Sequence, residues 1–174
     1  GALSGEGRFH DECVRQILLY REALFDPVRQ LWHHAMDWHG AGRRSPAGWR
    51  RGSGWVLRAL EKSLDALPRD HPGRDDVLSV WNETVRGLLV RQDPGGLWRQ
   101  LVHCPAACPE SSGSGLILAA LFSPLIWDGG GGEQGFDLPL RLRAGLHGLL
   151  DCVRDDGCVR NGCPECPPRA CESD

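Results

Sequence analysis

Ser53-Gly54-Trp55-Val56-Leu57-Arg58-Ala59-Leu60-Glu61-Lys62-Ser63-Leu64-Asp65-Ala66-Leu67-Pro68 is followed, after Arg69-Asp70-His71-Pro72-Gly73, by a second run that opens Arg74-Asp75-Asp76-Val77. Val56, Leu57, Leu60, Leu64 and Leu67 fall on one face of a helix over residues 53–67, with Ser53 as a candidate cap and Pro68 as the stop. Val77, Val80, Trp81, Val85, Leu88 and Leu89 repeat the pattern over residues 74–91. The link from Pro68 to Gly73 is short, so the two helices must turn back on each other as an α-hairpin.

The same reading extends in both directions. Val14, Ile17, Leu18 and Leu24 predict a helix over residues 9–25, with Asp11 and Glu12 favouring its N-terminal end and Asp26-Pro27 ending it. Residues 112–122 form a Gly/Ala/Leu-rich run suited to close packing, and residues 138–153 carry Leu142, Leu146, Leu149 and Val153 at helical spacing. No β alternation is evident. Long connections at residues 26–52, 92–111 and 123–137 alternate with the short one, as in a ring of α-hairpins whose long loops gather at one end. The expectation is an all-α fold whose sites lie on those loops. Residues 128–133, Asp-Gly-Gly-Gly-Gly-Glu, are a spacer and not a phosphate loop, because no Lys-Ser/Thr follows.

Composition narrows the function. The chain has 174 residues, 41% hydrophobic and 25% charged, which suits one globular domain or part of a larger one. A net charge of -3 offers no basic field for a nucleic-acid backbone, and no apolar run approaches the ~20 residues of a membrane span. Neither nucleic acid nor membrane is expected as a partner. The start, Gly1-Ala2-Leu3-Ser4-Gly5-Glu6-Gly7, has no basic region or apolar core of a signal peptide, and without Met it reads as processed, excerpted or truncated. Five of the eight Cys follow residue 150. Cys158, Cys163, Cys166 and Cys171 could ligate zinc, but only Cys163 and Cys166 have paired spacing and Pro164, Pro167 and Pro168 crowd the loop. The chain divides into a helical domain, residues 1–157, and a Cys/Pro-rich tail, residues 158–174.

The densest chemistry lies in residues 31–55, which hold four of the seven Trp. They include Leu31-Trp32-His33-His34-Ala35-Met36-Asp37-Trp38-His39 and Trp49-Arg50-Arg51-Gly52-Ser53-Gly54-Trp55. Indole faces stack on the C–H faces of sugar rings, and the guanidinium fork recognises a carboxylate with two donors. Trp, His and Arg on one loop therefore match an acidic carbohydrate. Trp81 and Trp127 are expected in the core. His33 and His34 point apart on an extended backbone, so at most one faces a pocket. The His spacing offers no metal set. Arg43, Arg44 and Arg50 are expected to be solvated, whereas Arg51, between Trp49 and Trp55, is the candidate hook.

These stretches resemble the unsaturated rhamnogalacturonyl and unsaturated glucuronyl hydrolases, glycoside hydrolase families 105 and 88. Phe9-His10-Asp11-Glu12-Cys13-Val14-Arg15-Gln16-Ile17 is similar to the helix after the family's catalytic hairpin. Leu31-Trp32-His33-His34-Ala35-Met36-Asp37 is similar to its L-(F/Y)-x-H-(G/A)-x-D loop, and residues 49–55 to its W-A-R-G-N-G-W motif. Leu67-Pro68, His71-Pro72 and Arg74 match the following connection. Gln92-Asp93-Pro94-Gly95-Gly96-Leu97-Trp98 resembles Q-D-x-x-G-L-W, and Glu110-Ser111-Ser112-Gly113-Ser114-Gly115 resembles E-T-S-G-T-A. The motifs occur in the family's order, from about residue 9 to about residue 160.

The resemblance implies roughly the second half of an (α/α)6 barrel of helical hairpins. It implies removal of a Δ4,5-unsaturated uronic acid from the non-reducing end of a lyase-generated oligosaccharide. An Asp protonates C4 and helps water add at C5, the hemiketal opens, and no metal or other cofactor is needed. By motif position His34, Trp49, Arg51, Trp55, Glu110 and Ser112 are substrate-binding. The catalytic Asp precedes the helix that matches residues 9–25 and has no counterpart here; Asp37 inherits no acid role. Ser53 and Arg50 stand where the family has Asn and Ala, and Asn161-Gly162-Cys163-Pro164 blurs its C-terminal loop. Handling of imported oligosaccharides would place such a hydrolase in the cytoplasm, with secretion as the alternative. Competing functions are a non-catalytic sugar-binding relative, a helical interaction module using exposed Trp, and a Cys-rich metal-binding regulator.

Overall fold

The computed structural model describes residues 4–38, 40–45, 48–124 and 137–162. Five helices account for most of them: α1 (Gly7–Leu24), α2 (Arg50–Ala66), α3 (Arg74–Leu89), α4 (Ser111–Leu121) and α5 (Leu138–Leu150). The all-α expectation holds, and the predicted hairpin is α2–α3. Its link is tied by Arg74, whose guanidinium donates to the Leu64 and Leu67 carbonyls left open at the end of α2, at 2.6 and 2.9 Å. Asp75 and Asp76 then sit at the positive end of α3.

Two helix starts lie earlier than the apolar pattern suggests. α1 begins at Gly7, so Asp11 and Glu12 lie beyond its first turn, where Glu12 pairs with Arg15 at 2.7 Å. α2 begins at Arg50, and Ser53 is not its cap: the Ser53 hydroxyl is inside the helix and donates to the Trp49 carbonyl at 3.1 Å. The long loops also contain short antiparallel ribbons that the sequence did not reveal. β1 (Phe25–Asp26) pairs with β2 (Leu31–Trp32), and β3 (Trp98–Arg99) pairs with β4 (Pro109–Glu110). Two residues per strand are too few to display an alternation.

α2 and α4 run parallel, since Arg50 and Gly54 meet Gly113 while Arg58 reaches the Ala119 carbonyl further along. Their close approach depends on small residues. A Cβ on Gly113 would lie 2.7 Å from Arg50 Nε and 3.0 Å from the Arg51 backbone nitrogen. α1 and α3 pack alongside one another, joined by the Arg21–Glu83 ion pair at 2.8 Å. α5 packs antiparallel on α4, where Gly145 makes room for Leu118.

The core runs between α2, α3 and α4, with Leu57, Leu64, Trp81, Leu88, Ile117 and Leu121 fully buried. Trp81 thus takes its expected core place. The N-termini of α2 and α4 and the C-termini of α1, α3 and α5 all point to one end, the loop end, where the two long connections between α1 and α2 and between α3 and α4 collect. The third long connection, residues 123–137, leaves α4 and enters α5 at the opposite end, with the short link from Pro68 to Gly73, so the expected gathering of all three does not hold. Residues 158–161, assigned to the tail by composition, also reach the loop end. Val159 bridges Val153, and the Asn161 carbonyl accepts the Ser111 N–H at 2.8 Å. Cys13, Cys108, Cys152 and Cys158 carry free thiols. Trp127, the 128–133 spacer and Cys163, Cys166 and Cys171 lie outside the described residues.

Candidate active-site pocket

At the loop end, a cavity of about 250 Å³ opens between α1 and α2, bounded by Tyr20, Leu24, Gly52, Val56, His34 and Trp49 among others. The loop carrying His34 is held by the buried Ser45, whose hydroxyl accepts from the His34 and Ala35 N–H groups at 2.8 and 3.3 Å. His33 Nδ1 lies 2.6 Å from the Ser45 carbonyl oxygen, which can only accept, so the proton is on Nδ1. Both His33 and His34 border the cavity, where at most one was expected.

Trp49 precedes α2 and is half-buried, its backbone bridging Leu101 across the neighbouring loop. Its indole packs against the His34 ring in a tilted arrangement, with centroids 4.2 Å apart and planes at 34°. Trp38 meets both edge-on, at 6.0 Å from His34 and 6.5 Å from Trp49. Trp38 was not among the predicted site residues, although it lies in the same aromatic run. Its neighbour Asp37 adopts a left-handed φ of 59° and accepts the Gly42 N–H at 2.6 Å, closing the loop that presents Trp38.

The other predicted residues divide into two groups. Arg51 and Trp55 are one helical turn apart on the α2 stripe next to the Gly52/Val56 side that borders the cavity. Arg51 is half-buried and Trp55 is 62% exposed. Glu110 and Ser112 stand at the start of α4. Glu110 is buried and caps that helix, accepting from the Ser112 and Gly113 N–H groups at 2.6 and 3.1 Å and from the Ser112 hydroxyl. Burial pushes the Glu110 carboxyl up. The Ser112 hydroxyl, Arg50 and the two N–H groups outweigh it and hold the group below the usual carboxylate range.

Arg50 requires a correction. Expected in solvent, it is 1% exposed, forms an ion pair with Glu110 and donates to the Trp98 carbonyl. This pair locks the first residue of α2 to the cap of α4. A carboxylate just before Ser-Ser-Gly and an apolar run is an N-cap signature, and it was the sequence signal for this role. Arg44, exposed as expected, still donates to the Glu22 carbonyl at 2.8 Å.

The site is thus an aromatic platform beside an apolar cavity, with the start of α2 at its border and Arg51 on the adjoining stripe of that helix. Among the described residues, no three His, Cys, Asp or Glu side chains gather as a metal site would require. None of the described helices is long and apolar enough to cross a membrane.

Residues 1–166 match Glycosyl Hydrolase Family 88. The chain belongs to this family. Among curated relatives, the unsaturated rhamnogalacturonyl hydrolase YesR of Bacillus subtilis is 27% identical over 151 residues, covering 87% of this chain and 41% of the relative. An unsaturated 3S-rhamnoglycuronyl hydrolase of Formosa agariphila is 27% identical over 168 residues, covering 90% and 43%. A possible family 105 member from Salmonella enterica superposes with a TM-score of 0.79 at 21% identity, covering 93% of this chain and 42% of its own. The C. acetobutylicum family 105 glycoside hydrolase gives 0.77 at 25% identity, covering 90% and 46%. The family 88 member therefore spans a little over two fifths of these curated relatives. Its helices are part of the α/α barrel that the resemblance implied.

Proposed function

We propose that the protein of which this chain is part removes a Δ4,5-unsaturated uronic acid from lyase-generated oligosaccharides by hydrating the vinyl ether. The observation that carries this reading is the close His34–Trp49 ring pair on the wall of an apolar cavity, beside the N-terminus of α2. Family membership and the unsaturated-uronyl hydrolases among its relatives support it.

In this reading the indole of Trp49, with Trp38 beside it, supports the flat face of the unsaturated ring, and the exposed Trp55 on the adjoining stripe of α2 meets the saccharide further out. Arg51 takes the ring carboxylate in its fork. His34 hydrogen-bonds the sugar rim from above the indole. The apolar wall of Tyr20, Leu24 and Val56 keeps water from the ring except where it must add. Arg50 and Glu110 hold the two helix starts in register, so that the Arg51 backbone cannot drift. Ser112, whose hydroxyl is given to Glu110, contributes through that cap. The Asp that protonates C4 comes from a part of the polypeptide outside this chain.

The intact protein should consume the double bond of a lyase-generated unsaturated disaccharide, read as loss of its ultraviolet absorbance. Arg51→Ala should raise KM about tenfold or more, the worth of one charge-assisted hydrogen bond, with a smaller change in kcat. An intact protein that leaves the double bond untouched refutes the reaction. Binding without turnover favours a non-catalytic sugar-binding relative, and an unchanged KM in Arg51→Ala removes Arg51 from the carboxylate role.

A further inference from the structure

Behind the loop that carries His33 lies a second hollow, of about 410 Å³, between the β1–β2 turn, the end of α3 and the loop after β3. Arg29, Arg91 and His103 are on its wall, and none of them belongs to the motifs that carry the family likeness. His33 separates the two places: it borders the apolar cavity on one side and, with Arg29 and His103, a small recess on the other.

Among the described residues, the charges here do not cancel. Arg99 on the same wall is neutralised by Asp93. Arg29 is only loosely paired, 3.9 Å from Asp26. Arg91 gives one N–H to the Gly87 carbonyl at 2.7 Å, and no carboxylate pairs with it among the described residues. Among the described residues, three guanidiniums thus face two carboxylates. The excess is felt locally. Burial and then the nearby Arg29 push the Arg91 guanidinium below its usual value, against a smaller opposing pull from Asp26. Burial, followed by Arg29, Arg91 and His33, pushes the His103 imidazole down as well. The half-buried Arg91 and His103 and the exposed Arg29, which repel one another around the hollow, gain from an anion placed between them.

We propose that the hollow between Arg29, Arg91 and His103 is a binding site for an oxyanion: a carboxylate, sulfate or phosphate group. The two guanidiniums supply planar forks, and the imidazole supplies a third donor once it is protonated. Such a group comes either as a free inorganic ion or as an acidic substituent of a saccharide chain lying across the outer rim of the loops.

The test is a titration of the intact protein with sodium phosphate at constant ionic strength, repeated with sodium sulfate and with a saturated oligogalacturonate, following the His103 ring signals by NMR. Saturable binding is expected, together with a rise in the His103 pKa, because an anion stabilises the imidazolium. Arg29→Gln and Arg91→Gln should each weaken binding about tenfold or more. Arg51→Ala should leave it unchanged, which separates this site from the uronate pocket. Tighter binding of the oligosaccharide than of the inorganic ions identifies a saccharide ligand; the reverse identifies a free ion; either supports the site. The proposal is overturned if no probe binds saturably, if the His103 signals stay fixed, or if both Gln variants bind like the unaltered protein.

Discussion

Glu110→Gln is expected to destabilise the fold by about 3–5 kcal/mol, the usual cost of removing one partner of a buried ion pair. Arg50 is 1% exposed and cannot turn to water, so its charge would stay in the core without its counterion. The same substitution weakens the cap of α4, because an amide accepts less strongly from the Ser112 and Gly113 N–H groups than a carboxylate does. Against typical stabilities of about 5–15 kcal/mol, this is enough to unfold a marginal domain. Urea or thermal denaturation followed by circular dichroism measures it. Arg50→Met combined with Glu110→Gln should recover the part of the loss due to the uncompensated charge, since no charge is then left buried and the amide oxygen still accepts at the cap. A Glu110→Gln variant within about 1 kcal/mol of the unaltered protein would show that the pair does not hold α2 to α4.

The pair also gives acid sensitivity a definite sign. The folded Glu110 carboxyl is held below its unfolded value of about 4.3, so its contribution is fully present above that pH. It is lost as pH falls from there through the folded value. Acid unfolding should therefore begin at higher pH in variants whose Glu110 environment is weakened, such as Ser112→Ala.

Trp98→Ala is the second large effect, at about 3–5 kcal/mol for a fully buried aromatic truncated to methyl. Trp98 is 0% exposed, and its indole N–H donates to the Leu88 carbonyl at 2.7 Å, near the end of α3. Its backbone N–H donates to Ser114 Oγ at 2.9 Å, and its carbonyl accepts from Arg50. One residue therefore joins β3, α3, α4 and the start of α2. Its loss should lower the denaturation midpoint and also loosen the loop around Trp49. Trp98→Phe keeps most of the packing and should cost clearly less. Equal losses for Ala and Phe would mean that the indole N–H, and not the buried ring, provides the stability.

The helices were legible because each buries one apolar stripe, and a stripe leaves a period in the sequence. Trp81 and the Pro68 stop were read on that basis. What escaped the reading depends on contacts that leave no period. Arg50 looks like a surface residue beside Arg51, because its partner Glu110 lies 60 residues away. The early start of α2 is hidden by Gly52 and Gly54, which suggest a loop. Gly54 is small because a Cβ there would come within 2.9 Å of the Leu116 Cβ on the parallel helix. The two ribbons are too short to alternate, although they fix the loops that carry the site. In the site itself, residue types announced a stacking surface, and His34 does meet Trp49. Sequence spacing placed Arg51 and Trp55 with them, whereas helical geometry turns both onto the adjoining stripe of α2.

The most direct measurement follows the indole N–H signals of the intact protein by NMR during titration with a lyase-generated unsaturated disaccharide. The account predicts that Trp49 and Trp38 shift together and saturate while the buried Trp81 and Trp98 stay in place. Saturable binding that leaves Trp49 and Trp38 unmoved would contradict it.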